Sequence, residues 1–477
     1  MSISTLSCHK PPLLMWTPDY KGRHGKLYVA IADALAEDVA RGRLAPGARL
    51  PTHRELAWQL KLSVSTISKA YALAERRHLI EGEVGRGTFV TSRPSDLPRL
   101  EPNRVQSDLI DLSFNSLVVL PSHHAAIADA MRKVADSGRV EALVPYHRPW
   151  LGMPEHQNAA AKWLSGLGVT AQPEDIVIVN GAQQATAAIL NALTEPGDTI
   201  LLEELTDPGI RFLVANRHLT PKGVAIDHHG VIPDAFEAAC RSGPVRALFC
   251  IPTHHSPTLT VMPLERRKEI AEIADRHGVA IIENDVCGAL MDKPLPPIST
   301  FATEQGFYVT SLSKIVSAGL RIGFIVAPPG RAKDLLPGLA STTWMASLFA
   351  VEIACRLIED GVARQLADEQ REEFRKRQSF ANDILSGFQI ASLPTGLHQW
   401  LTLPESWRAE GFVSAANARG VAVTPAEAFV VGHGPSPQAV RLSLGGATAS
   451  RGELQQGLEV LAELLRGKRP AASFLVL

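Results

Sequence analysis

The stretch SLSKIVSAGLRIGFIVAP, from Ser311 to Pro328, sets a lysine among small hydroxyl residues, just ahead of a glycine-bearing turn and an arginine that opens an apolar run. Such an amine suits condensation with an aldehyde, and hydroxyls with a guanidinium suit a phosphate on the same molecule. Two other stretches carry related groups. NGAQQATAAIL, from Asn180, runs a small-residue turn into a helical pattern, so backbone N–H groups at Gly181–Gln183 can cradle a phosphate. IIENDVCGAL ends an apolar strand in acidic residues, where Asn284 or Asp285 can point into a cleft. Taken singly, each segment is also an ordinary turn, cap or loop.

The elements that must position these groups alternate. From about residue 109 onward, DIVIV is followed by a helix at about 184–195, TILLE by a helix near 209–216, and RALFCI by a helix through PLERRKEIAEIADRHG. VAIIE, GFYVTS and RIGFIVAP continue the strands. This alternation predicts an α/β domain with a mostly parallel sheet covered by helices on both faces, and all three segments fall at strand ends, where such sheets bind ligands.

The front of the chain has a different character. Apolar Ile31, Leu35 and Val39 recur at helical spacing, and Thr52 with Glu55 is a capping-box signature for a helix at about 53–60. A third helix begins near Val64, and IEGEVGRGTFVTS alternates around Gly85 and Gly87 as a hairpin or wing would. This order predicts a winged helix-turn-helix whose third helix enters the major groove of DNA. Ser65, Thr66 and Lys69 lie where base edges or phosphates are met, while Arg49, Arg54 and the wing-tip Arg86 suit phosphate oxygens.

The bulk numbers fit two or three folded units. The 477-residue chain is 45% hydrophobic and 20% charged, with a net charge of −1. Residues 21–98 nevertheless hold 13 Lys/Arg against 8 Asp/Glu, which places the basic excess at the front. Residues 93–108, rich in Pro, Ser and charge, read as a linker between a DNA-binding domain at 24–92 and a domain at 109–477, with an extension at 1–23. Five scattered cysteines without a C-x-x-C pair suit a reduced, cytoplasmic interior, and no apolar run is long enough to span a bilayer. His254 and His255 have no acidic or cysteine partner at ligand spacing, so they read as loop residues and no metal site is expected. The apolar C-terminal ASFLVL reads as a packed tail.

The run GRLAPGARLPTHRELAWQLKLSVSTISKAYALAERRHLIEGEVGRGTFV resembles the DNA-binding domain of the GntR family over nearly all of residues 26–91. Residues 109–468 resemble the fold type I aminotransferases that use pyridoxal phosphate (PLP), and the fusion is similar to the MocR subfamily of regulators. The resemblance implies that Lys314 forms a Schiff base with PLP. It also implies that Arg321, Ser311 and Ser313, with backbone near Ala182 and Gln183, hold the phosphate. Arg441, in AVRLSLGGA, matches an arginine that clamps an α-carboxylate, and a homodimer on double-stranded operator DNA is implied as well.

This chain departs from the family pattern at several positions. Asp207 stands where a tyrosine usually stacks on the cofactor, Ser256 where an asparagine commonly precedes proline, and Cys287 where a tyrosine is expected. Either Asn284 or Asp285 takes the position from which a carboxylate keeps the pyridine nitrogen protonated; Asn284 there removes the ion-pair partner, and Asp285 retains it. The expected function is a PLP-binding transcriptional regulator that senses an amine or amino acid. The alternatives are a regulator whose domain no longer binds PLP, and an aminotransferase carrying a DNA module; amino-transfer turnover stays open.

Overall fold

A computed structural model describes residues 16–20, 26–41, 43–44, 48–77, 79–83, 87–90, 109–144, 150–432, 436–445 and 450–467. The wing-tip Arg86, the expected linker and the C-terminal tail lie outside the described residues, wholly or nearly so. The chain divides into two compact units, Met1–Leu97 with Gly432–Pro435, and Pro98–Val431 with Ser436–Leu477.

In the first unit three helices, α1 (Leu27–Ala40), α2 (His53–Leu60) and α3 (Val64–Arg76), precede an antiparallel pair, β1 (Ile80–Glu83) and β2 (Gly87–Val90). The capping box is formed: the Glu55 amide donates to Thr52 Oγ1 at 3.3 Å, and the Thr52 amide donates to Glu55 Oε2 at 2.7 Å. Lys61 ends α2 in the left-handed region at φ 55°, which turns the chain at once into α3. Ile31, Leu35, Leu56, Ile67 and Tyr71 form the core, and Tyr71 donates from its hydroxyl to Pro51 O at 2.8 Å.

In the second unit seven strands form one sheet: β3 (Ile176–Val179), β4 (Thr199–Glu203), β5 (Thr220–Val224), β6 (Ala247–Cys250), β7 (Ala280–Asn284), β8 (Gly306–Ser311) and β9 (Gly323–Val326). Their order is β3-β9-β8-β7-β6-β4-β5, with β9 antiparallel to both neighbours and the remaining pairs parallel. Both faces are buried along the central strands, while the edge strand β5 buries only Val224. Ile176 and Ile178 join one core while Val177 and Val179 join the other, as the two-residue strand period requires. A smaller antiparallel sheet follows: β10 (Ile390–Ala391), β11 (His398–Thr402), β12 (Thr424–Pro425) and β13 (Ala439–Ser443), in the order β10-β11-β13-β12. The helix Arg451–Arg466 shares a core with it through Leu454, Leu458 and Leu461. Sequence alternation did not anticipate this sheet or β5.

A buried guanidinium ties the loop after β6 to the end of β7. Arg267 donates to the carbonyls of Met262 (3.0 Å), Pro252 (3.1 Å) and Pro296 (3.2 Å) and to Thr253 Oγ1 (2.9 Å). Glu283 lies 3.7 Å from it and accepts from the amides of Ile298 and Ser299. Burial pushes the Glu283 carboxyl up to about 7 although Arg267 opposes the rise. An acid whose folded pKa stands above its unfolded value weakens the fold as pH rises through that interval. Arg267→Met lifts the folded value further, so its cost, about 3–5 kcal/mol for an unpaired buried charge, grows with pH. Urea unfolding at about pH 6 and about pH 8 checks this; an equal loss at both would separate the pair from the effect.

Candidate cofactor pocket and nucleic-acid interface

The strand ends bring the predicted groups together. Helix α4 (Ala182–Leu193) starts directly after β3, and Gly181, at φ +86°, forms the turn between them. A Cβ on Gly181 would lie 2.8 Å from Arg321 Nη2, so only glycine lets the guanidinium rest against this turn. Arg321 itself has φ 54° and donates to Asn180 O at 3.2 Å. The first-turn amides of α4 at Ala182 and Gln183 have no carbonyl one turn earlier to bond. Ser311 closes β8, and its hydroxyl accepts from the Ser313 amide at 3.4 Å. Free first-turn amides, a hydroxyl and a guanidinium are the kinds of group that suit an anion.

Lys314 follows three residues after β8. Its Nζ donates to Asn115 O at 2.6 Å and lies 5.9 Å from the Phe114 ring centre. Burial lowers its pKa below the ordinary lysine value; Arg441 and Arg321 add to the lowering, while Cys287 and Asp207 oppose it. The Cys287 thiol is pushed up to about 12, chiefly by burial. Asp207 begins helix α5 (Pro208–Asn216), where its carboxylate accepts from the Gly209 amide at 2.8 Å.

Asp285 is 8% exposed and accepts from the Tyr308 hydroxyl at 2.8 Å. Its other oxygen, Oδ1, is buried without a hydrogen-bond partner. Burial raises its pKa, against the hydrogen bond from Tyr308 and the charge of Arg267. Asp285 and Lys314 both act electrostatically on Cys287, in opposite directions: the lysine lowers its pKa and the carboxylate raises it. Asn284 is the last residue of β7 and leaves a buried Oδ1 unpartnered.

Arg441, on β13, donates to Ser113 O at 2.6 Å and to Ser256 Oγ at 3.4 Å, and stands 4.8 Å over the Phe429 ring. Its Nε is buried and unpartnered. Burial brings its pKa down to about 10, so it stays charged at neutral pH. His398 bridges Pro257 O and the Asn115 side chain at 2.9 Å each, and burial holds its pKa far below the ordinary value.

His254 and His255 lie in the loop after β6, as expected, but that loop is enclosed. Both histidines are buried; His255 Nε2 stands 3.2 Å from Glu203 Oε2, and neither ring nitrogen of His254 has a partner. Asn115, Tyr308, His398 and Phe429 escaped the sequence reading. Tyr308 alone carried a signal, a polar hydroxyl inside the otherwise apolar part of strand GFYVTS; the others come from remote segments. Among the described residues no group of His, Cys, Asp or Glu could hold a metal, and no helix is long and apolar enough to cross a membrane.

In the first unit Ser65 and Lys69 are exposed on α3. The Thr66 hydroxyl is already engaged with Ser63 Oγ at 2.8 Å, and Ser63 caps the helix by accepting from the Thr66 amide. Arg54 is exposed on α2. Arg49 bridges to Phe89 of β2 and lays its side chain against Gly87.

Comparison with known proteins defines the class. Residues 107–461 match the model for aminotransferase class I and II, and residues 27–90 match bacterial regulatory proteins of the gntR family. The chain is 30% identical over 454 residues to the uncharacterized HTH-type transcriptional regulator YdeF of Bacillus subtilis, covering 95% of this chain and 97% of that protein. It is 24% identical over 372 residues (76% of this chain, 80% of the other) to the pyridoxine biosynthesis regulator PdxR of Corynebacterium glutamicum. The alpha-aminoadipate aminotransferase LysN of Thermus thermophilus, solved with N-(5'-phosphopyridoxyl)-L-leucine, superposes with a TM-score of 0.67 at 23% identity, covering 76% of this chain and 92% of that one; this likeness shows the fold. The chain belongs to the aminotransferase class I and II family and carries a GntR-type head, the MocR arrangement of transcriptional regulators.

The electrostatics around Lys314 yield a direct test. Asp207 raises the Lys314 pKa, so Asp207→Asn lowers it further and moves the pH midpoint of Lys314 labelling by an amine-reactive reagent downward. Peptide mass spectrometry reads the labelled fraction across pH. An unmoved midpoint removes Asp207 from the pocket's electrostatics.

Proposed function

We propose that this regulator binds PLP through Lys314 and that an amine or amino acid reaching that lysine changes how the N-terminal unit holds operator DNA. The observation that carries the reading is the convergence of three groups PLP would need. These are a lysine amine with lowered pKa, a guanidinium lying on a glycine turn at a helix start, and a buried carboxylate with one oxygen unpartnered.

PLP, when bound, supplies an aldehyde for amines and a ring that withdraws electrons. Lys314 would hold its aldehyde end. Arg321, Ser311, Ser313 and the amides of Ala182 and Gln183 would hold its phosphate. Asp285, oriented by Tyr308, would keep the ring nitrogen protonated, a role for which Asn284 lacks the charge. Arg441 would fork onto an effector carboxylate, exchanging its present contacts with Ser113 O and Ser256 for a charged partner. Asp207 and Cys287 supply neither an aromatic face nor a phenol, so retention of the cofactor falls mainly on the phosphate cradle and Lys314.

On the DNA side, Arg49, Arg54 and Arg86 would contact phosphates, and Ser65 and Lys69 would reach bases; Thr66 would act mainly by its packing. A homodimer would present two heads to two half-sites. An effector biases these heads only by its difference in affinity for the two states. A regulator of this kind works in the cytoplasm, where its DNA lies.

Incubation with PLP is expected to give an absorbance band of lysine-bound cofactor that Lys314→Ala lacks, and borohydride is expected to leave a pyridoxyl group on Lys314. Salt-sensitive binding to the protein's own promoter region is expected in parallel. Identical spectra for the two proteins, with promoter binding intact, would establish instead a regulator whose domain has lost the cofactor. Repeated amino transfer to a keto acid, abolished by Lys314→Ala, would establish an enzyme.

A further inference from the structure

The surface of the helix-turn-helix carries an apolar pair that the phosphate and hydrogen-bond contacts above do not use. Trp58 on α2 is 84% exposed and Val64, the first residue of α3, is 46% exposed. The left-handed turn at Lys61 brings the two elements together, and Arg54, Ala57, Trp58, Gln59, Lys61, Leu62 and Val64 line one shallow concavity. Two cations, Arg54 and Lys61, thus border an apolar floor at the start of the helix expected in the major groove.

Exposed apolar area on a face built for DNA is costly unless it meets an apolar group, and in the major groove that group is the thymine 5-methyl. The hydroxyls nearby cannot take its place. Ser63 and Thr66 are bonded to one another, so the first turn of α3 presents Val64 and Ser65 outward. We infer that Val64 reads a thymine methyl in each half-site, with Trp58 covering the outer side of that contact and Arg54 and Lys61 holding the flanking phosphates. This inference rests on the DNA-binding reading and adds to it a base identity and a residue that selects it.

Replacing thymidine by deoxyuridine removes the methyl and leaves every hydrogen-bonding group in place. Full-length protein is titrated against its promoter-region DNA made with either nucleotide. Loss of one buried methyl corresponds to roughly fourfold weaker binding per contact, so the unmodified protein should prefer thymine DNA by at least that factor. Val64→Ala should bind both DNAs alike, which also removes any effect of uracil on DNA shape from the comparison. Trp58→Ala should reduce the preference while leaving the salt dependence unchanged, because no phosphate contact is lost. Equal binding of both DNAs by the unmodified protein, or a preference that survives Val64→Ala, overturns the inference. So does intact DNA binding and thymine preference in both variants with loss of transcriptional output, which would assign the patch to a protein partner. Failure to bind either DNA would instead strike the regulator reading itself.

Discussion

The Arg267 guanidinium is the constraint on which the candidate pocket depends. It is 1% exposed and satisfied by three carbonyls, a hydroxyl and the nearby Glu283. A charge so deeply removed from water is tolerated only when its donors are all employed, and those acceptors come from segments that otherwise have no reason to meet. By holding Pro252 and Thr253, it fixes the loop that leads to Ser256; by standing beside Glu283, it fixes the strand end two residues before Asp285. Its positive charge also opposes the rise in the Asp285 pKa that burial causes.

The pocket is built from groups kept short of complete partners. Asp285 has one oxygen bonded to Tyr308 and one left over, and Arg441 leaves its Nε unpaired. Buried polar atoms without partners are uncommon because each forfeits a hydrogen bond it had in water. The same unit buries Lys314, whose own charge is disfavoured by burial and by Arg441. The same low-dielectric surroundings that make these atoms costly would strengthen a hydrogen bond to a complementary group. The departures at Asp207 and Cys287 act in another direction, since a helix-capping carboxylate and a neutral thiol replace aromatic surface.

Much of the fold was legible from local patterns. The capping box at Thr52 and Glu55, the helix start at Val64 and the strand GFYVTS all appear at the expected residues, because they follow from near-neighbour hydrogen bonding and two- or 3.6-residue periodicity. The helix expected at about 184–195 lies at Ala182–Leu193, since the turn at Gly181 starts it earlier than its apolar pattern suggested. The small strands Ile390–Ala391 and Thr424–Pro425 passed unnoticed because two residues carry no measurable period. The buried state of His254 and His255 was equally hidden, as polarity alone cannot reveal a residue enclosed by distant segments.

The sequence by itself determined the class of the protein. Helix caps, strand alternation and the lysine and arginine motifs are local, so their residue types specify an α/β domain behind a winged helix-turn-helix. The tertiary structure decided which groups share a site. It bonded Asp285 to Tyr308, placed Arg441 over Phe429, and spent the Thr66 hydroxyl on Ser63 while exposing Val64. Partners such as Lys314 and Asn115, 199 residues apart, meet only when the sheet and its loops are assembled, because no local pattern encodes the burial that unites them.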